Sequence, residues 1–180
     1  MRDINFPAST LVLGGVRSGK SAYAERLATA RAAERELVYI ATGVAFDDGM
    51  RERIAAHVTR RGQRWRTCEA PLELANALAA QSNPDTVVLV DCLSVWLGNL
   101  LHHDMDVAQA TTKLLECLPL LTGPVILVAS ETGLGLLPDN ALGRRFCDLA
   151  GRLNQDVAAL CTEVTLVVAG YPVPVKSASP

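Results

Sequence analysis

Two kinds of stretch alternate along the chain. The first is a short run with nearly every position apolar: Thr10–Leu13, Leu37–Ala41, Thr86–Val90, Val125–Ala129 and Val164–Val168. Such runs predict strands buried on both faces. Trp65–Glu69 is strand-like as well. The second kind carries apolar residues at helical spacing. It predicts helices from Ser21 to about Ala33, on Ala24, Leu27 and Ala28, and from Met50 to about Arg61, on Met50, Ile54 and Val58. Another begins at Pro71 with Leu72, Leu74, Ala75 and Leu78, and Leu93 to about His102 has Trp96 and Leu97 as core residues. Val107–Leu118 is closed by Pro119. A long amphipathic helix, on Leu142, Phe146, Leu149, Leu153, Val157 and Leu160, is capped by Asp139 or Asn140. Residues 1–8 read as a lead-in and 170–180, with its prolines, as a tail or edge segment. The alternation predicts one α/β domain over residues 1–180, with a mostly parallel sheet and helices on both faces.

The chemistry begins where the first strand ends. Gly14, Gly15, Val16, Arg17, Ser18, Gly19, Lys20 and Ser21 spell G-x-x-x-x-G-K-S, a phosphate-binding loop between strand and helix. The glycines allow a tight turn whose N–H groups approach an anion. Lys20 is suited to the β- and γ-phosphates, and the Ser21 hydroxyl to Mg²⁺. The following helix aims its unpaired N–H groups and positive dipole end at the same phosphates. This places the fold among phosphate-loop nucleotide hydrolases of RecA-like type.

Two further residues gain meaning beside that loop. Asp91 ends an apolar strand, where a carboxylate orients Mg²⁺ and its water; capping the next helix is the plainer alternative. His57 lies at the edge of the apolar stripe of its predicted helix, with Arg53, Arg60, Arg61 and Arg64 nearby. It reads either as a packed, hydrogen-bonded histidine or as a nucleophile kept neutral by cationic neighbours. The arginines read either as a solvated face or as phosphate ligands. His102, His103, Asp104 and Asp106 read as a polar helix end and loop rather than a metal site.

Composition narrows the class. Apolar residues make up 49% and charged ones 20% of the chain, which suits a packed core, and the net charge of −2 offers no general field for nucleic acid. No apolar run is long enough to span a bilayer, and the first residues lack the apolar core of a signal peptide. The five cysteines are odd in number and without C-x-x-C spacing. They predict free, mostly buried thiols in a reducing cytoplasm. An N-K-x-D guanine-reading tetrapeptide is absent, which argues against a regulatory GTPase.

The ordered motifs Gly14–Ser21, Tyr39–Thr42, Arg53-Ile54 with His57, Trp65–Thr67 with Glu69, Asp91–Leu93 with Trp96-Leu97, and Asn99–Leu101 resemble one family. It is the bifunctional adenosylcobinamide kinase / adenosylcobinamide-phosphate guanylyltransferase family of cobalamin synthesis. Glu131, Gly133, Gly135, Pro138, Leu142–Arg144, Phe146, Asp148, Gly151, Asn154-Gln155 and Val175-Lys176 continue the match. Leu13, Val16, Ser130 and Thr132 depart from the usual pattern. The resemblance implies two reactions on one scaffold. The hydroxyl of adenosylcobinamide is phosphorylated from ATP or GTP. GMP then passes from GTP to that phosphate through a GMP–histidine intermediate, releasing pyrophosphate. Carried onto this chain, His57 is the nucleophile. Ala41, Thr42, Gly43, Val58, Thr59, Arg60 and Arg61 line the nucleotide with the phosphate loop, and Glu69 and Asp91 are ligands of GTP or its metal. The resemblance also implies a cytoplasmic homotrimer whose partners are adenosylcobinamide and its phosphate. Two readings compete: a single-activity small-molecule kinase with a structural His57, and a non-enzymatic nucleotide-binding regulator.

Overall fold

A computed structural model describes residues 8–43 and 64–177. Within them a seven-stranded sheet runs in the order β3-β2-β4-β5-β1-β6-β7. The strands are β1 (Ser9–Gly14), β2 (Glu36–Ala41), β3 (Trp65–Glu69), β4 (Thr86–Asp91), β5 (Val125–Ser130), β6 (Glu163–Val168) and β7 (Tyr171–Lys176). The first six are parallel, and β7 pairs antiparallel with β6. The helices are α1 (Lys20–Ala32), α2 (Leu74–Gln81), α3 (Leu93–His102), α4 (Val107–Cys117) and α5 (Ala141–Leu160).

The central strands are apolar throughout because both faces are covered. Val87, Val88, Leu89 and Val90 of β4 are all fully buried. Val88 and Val90 pack on the side of α2 to α5, whereas Val87 and Leu89 pack on the side of α1. Among the described residues helices cover both faces, but unequally. From β1 the chain crosses the sheet toward β2 in one direction; from β3, β4 and β5 it crosses in the other. Right-handed crossovers turn that difference of direction into a difference of face. The α1 side is closed by small residues, Ala24, Ala28 and Ala32, which let the helix approach the sheet closely. The opposite side takes bulk: Leu74, Leu78, Trp96, Leu97, Leu114, Leu153 and Val157.

Several boundaries differ from the sequence expectation. The helix expected from Pro71 begins at Leu74, because the chain bends at residues 71 and 72 and Glu73 takes the N-cap position without a capping hydrogen bond. Pro119 does not simply close α4; it sits in a 3-10 turn, Leu118–Leu120, that continues it. Asn140, not Asp139, caps α5: its side chain accepts the Gly143 N–H at 2.7 Å. The ends of the α5 stripe, Leu142 and Leu160, are exposed. Residues 171–176 are an edge strand, where Pro172 and Pro174 cost no interior ladder bond. All five cysteines are free, but only Cys92 and Cys161 are buried; the other three are half-buried. The helix expected over 50–61 lies outside the described residues.

Candidate functional site

The phosphate loop leaves the carboxyl edge of β1 and turns into α1. Gly14 admits no side chain, since a Cβ there would press on the Ser18 hydroxyl and lie 2.8 Å from the Val167 carbonyl oxygen. Gly19 is left-handed at φ +92°, and Arg17 is left-handed at φ 56°, so the turn holds two residues in a conformation that side chains disfavour. Three backbone bonds fix it. Ser18 N–H donates to the Gly15 carbonyl at 3.3 Å, Gly170 N–H to the Ser18 carbonyl at 2.8 Å, and Glu131 N–H to the Gly14 carbonyl at 3.1 Å. The loop is thereby tied to the β6–β7 turn and to the exit of β5.

The cradle is built for an anion. Helix α1 starts with no capping side chain and no acidic residue in its first turn, so its leading N–H groups and dipole meet no opposing charge. The Ser18 hydroxyl oxygen is buried without a hydrogen-bond partner among the described residues. Lys20 folds back over the loop, its Nζ donating to the Gly15 carbonyl at 3.2 Å. Ser21 follows, half-buried.

A row of polar groups stands along the same sheet edge. Ala41 is in register with Glu69 on one side and Asp91 on the other. Glu69 is exposed and Asp91 half-buried. Asp91 Oδ2 accepts the Tyr39 hydroxyl at 3.1 Å, and the Tyr39 ring meets Trp65 edge to face at 6.2 Å. Asp91 is level with Val128, and Val128 with Val12, so β5 separates Asp91 from the strand of the phosphate loop. Two strand spacings amount to about 10 Å. That brings the carboxylate and the cradle to one edge, within the span of a nucleotide triphosphate and its cation.

The expected nucleotide residues divide into three groups. The phosphate loop, Ala41, Glu69 and Asp91 share the carboxyl edge, and half-buried Gly43 follows just past the end of β2. Thr42 is fully buried, its hydroxyl bonded to Cys92 and its carbonyl to Asn99, so its side chain braces the edge rather than facing solvent. His57 and Val58–Arg61 lie outside the described residues.

The braces carry information that sequence reasoning left without a role. Asn99, 3% exposed, donates to the Thr42 carbonyl at 2.7 Å and to the Pro71 carbonyl at 3.0 Å. It joins the exits of β2 and β3. Ser94 Oγ accepts the Ser130 N–H at 2.7 Å, and Asn154 Nδ2 donates to the Ser130 carbonyl at 3.3 Å. Their signal in the sequence is a polar residue on an otherwise apolar helix face. Burial, and secondarily the Asp91 charge, push the Cys92 thiol up to about 12, so it is inert at neutral pH. His102 and His103 end α3 and meet edge to face, while Asp106 caps α4. Among the described residues no three metal-binding side chains gather.

Likeness in shape extends to the flagellar accessory protein FlaH from Methanocaldococcus jannaschii. Its TM-score is 0.50 at 12% identity, over 94% of this chain and 78% of that one. A KaiC-like protein from Pyrococcus horikoshii OT3 also gives 0.50 at 12% identity, over 88% and 70%. At such identity these show the fold alone, that of the phosphate-loop nucleotide hydrolases. Likeness in sequence is closer. The bifunctional adenosylcobalamin biosynthesis protein CobP of Pseudomonas aeruginosa is 49% identical over 170 residues, covering 92% of this chain and 96% of that protein. The bifunctional adenosylcobalamin biosynthesis protein CobU of Escherichia coli K12 is 38% identical over 181 residues, covering 92% and 98%. The profile described as cobinamide kinase / cobinamide phosphate guanyltransferase matches residues 10–175. A phosphate loop, an acidic strand end and this whole-length likeness give one answer: the chain belongs to the cobinamide kinase / cobinamide phosphate guanyltransferase family.

Proposed function

We propose that the protein performs both family reactions at one nucleotide site and that His57 carries GMP between them. In the first reaction the hydroxyl oxygen of adenosylcobinamide attacks the γ-phosphorus of ATP or GTP and the nucleoside diphosphate leaves. In the second, His57 attacks the α-phosphorus of GTP and pyrophosphate leaves. An oxygen of the corrinoid phosphate then attacks the same phosphorus, forming adenosylcobinamide-GDP and freeing the imidazole. The observation that carries this reading is the open start of α1 beside the buried, unpartnered Ser18 hydroxyl and the Lys20 amine. These groups hold the triphosphate in either reaction. The phosphate-loop N–H groups and Lys20 offset the charge that builds on the transferred group. Arg60 and Arg61 hold phosphates near His57.

The donor set fits a magnesium ion: the Ser21 hydroxyl and Asp91 carboxylate are hard oxygen ligands at one sheet edge, beside an anion cradle. When bound there, Mg²⁺ neutralises triphosphate charge. Tyr39 holds the Asp91 carboxylate in place through its hydroxyl. Gly43, Val58, Thr59 and Glu69 line the guanine nucleotide, while Thr42 braces the edge beneath it. We place the enzyme in the cytoplasm as a homotrimer acting on adenosylcobinamide and its phosphate. No described helix is long and apolar enough to cross a membrane.

Incubation with α-labelled GTP tests the reading. Acid-labile label is expected on the wild type and none on His57→Ala, which keeps the kinase reaction. An unlabelled wild type would leave a single-activity kinase with a structural His57.

A further inference from the structure

The loop from Ser130 to Asn140 leaves β5 beside the phosphate loop, and both of its ends are fastened. At its root, Ser94 and Asn154 hold the two backbone groups of Ser130, and Glu131 N–H is bonded to the Gly14 carbonyl. At its far end, Arg144 Nη1 donates to the Pro138 carbonyl at 3.1 Å and Asn140 caps α5. The tip between these anchors is apolar and bare. Leu134, Leu136 and Leu137 are 79%, 98% and 72% exposed, and Val16 of the phosphate loop is 84% exposed. A cluster of exposed leucines on a folded chain marks a contact surface.

Topology says which edge this surface belongs to. β1 and β5 are neighbours, with Gly14 in register with Ser130. The chain leaves β1 for α1 on one face and β5 for α5 on the other. Ligands of open α/β sheets bind in the crevice at such a point. One wall of the crevice is the phosphate loop, which suits a triphosphate. The other ends in leucines, for which phosphates have no use. The second substrate of this family does have a use for them: a corrinoid is a large macrocycle with broad apolar faces.

We propose that the leucine tip, Leu134–Leu137, is the docking surface for the corrin ring, resting on the two-reaction reading above. The ring lies against the leucines, and its hydroxyl- or phosphate-bearing arm enters the crevice toward the nucleotide. Fastening at both ends keeps the tip in place while leaving its side chains free for the ligand.

The test uses the full chain with Leu134, Leu136 and Leu137 all changed to Ser, and a second variant with all three changed to Met. Equilibrium dialysis of adenosylcobinamide, followed by its colour, reads affinity. The Ser variant is expected to bind the corrinoid at least about tenfold more weakly, and the Met variant within about twofold of wild type. Labelling by α-labelled GTP without corrinoid is expected to persist in both. Unchanged corrinoid affinity in the Ser variant overturns the proposal. So does a fall in molar mass by light scattering at unchanged affinity, which would assign the leucines to contacts between copies. Failure of the parent reading looks different: the wild type itself would neither bind the corrinoid nor turn it over.

Discussion

The Thr42 hydroxyl serves both backbone groups of Cys92: it donates to the carbonyl and accepts from the N–H, each at 2.8 Å. One side chain thus ties the exit of β2 to the exit of β4, immediately after Asp91. Thr42→Val keeps the shape and removes both bonds; the Cys92 carbonyl keeps the Trp96 N–H at 3.1 Å, but the buried Cys92 N–H is left unpaired at about 1–3 kcal/mol. The urea midpoint is expected to fall clearly for Val and to be largely kept by Thr42→Ser. A Val variant as stable as wild type would show that Thr42 is no brace.

Lys20 touches the Gly15 carbonyl and is only half-buried, so the fold depends on it little. Lys20→Ala is expected to slow both reactions by about 10²–10³-fold, the scale seen when one preorganised charge stabiliser is removed. Its thermal midpoint should stay close to that of the wild type. Normal GMP transfer with a dead kinase would separate the two sites that we place together.

Two glycines should respond in opposite ways to alanine. Gly19 is left-handed, and a Cβ there would sit 3.2 Å from the Gly170 Cα. Gly19→Ala is expected to lose about 1–2 kcal/mol and to weaken GTP binding. Gly151 lies inside α5, where a Cβ meets nothing within 4 Å. Gly151→Ala is expected to gain about 0.5–1 kcal/mol with activity unchanged. Chemical denaturation and a GTP titration check both.

Alkaline pH should destabilise the fold through its buried thiols. Burial raises Cys92 and Cys161 from the ordinary 9.0 to about 12. Above about pH 9 the unfolded chain releases these protons while the native state keeps them. Fewer protons are then bound unfolded than folded, so stability falls as pH rises, by up to about 1.4 kcal/mol per unit for each thiol. The loss runs from about 9 to about 12. Denaturation between pH 8 and 11 checks this, and the slope should shrink in Cys92→Ala. A flat profile would show that the thiols ionise alike in both states.

Much of the fold was legible because its signals are local. Apolar runs such as Thr86–Val90 are strands whichever neighbours they find, and Gly14–Ser21 states its turn in its own spelling. The misreadings fell where local rules tie. Pro71 suits a helix start, yet the chain bends at residues 71 and 72 before α2 begins. Tyr171–Lys176 is no misreading: the sequence leaves a tail and an edge segment open, and with two prolines and no buried residue only its pairing with β6 decides for the edge.

The sequence by itself determined the anion cradle, the strand that feeds it and the acid at the end of β4, because each rests on neighbours along the chain. Tertiary structure alone decided that Asp91, Ala41 and Glu69 share one edge, that Thr42 and Asn99 are braces, and that three leucines stand bare on a loop whose root is bonded to the phosphate loop. The reason is distance along the chain. Thr42 and Asn99 are 57 residues apart, and no local propensity records a hydrogen bond that exists only once the sheet has ordered its strands.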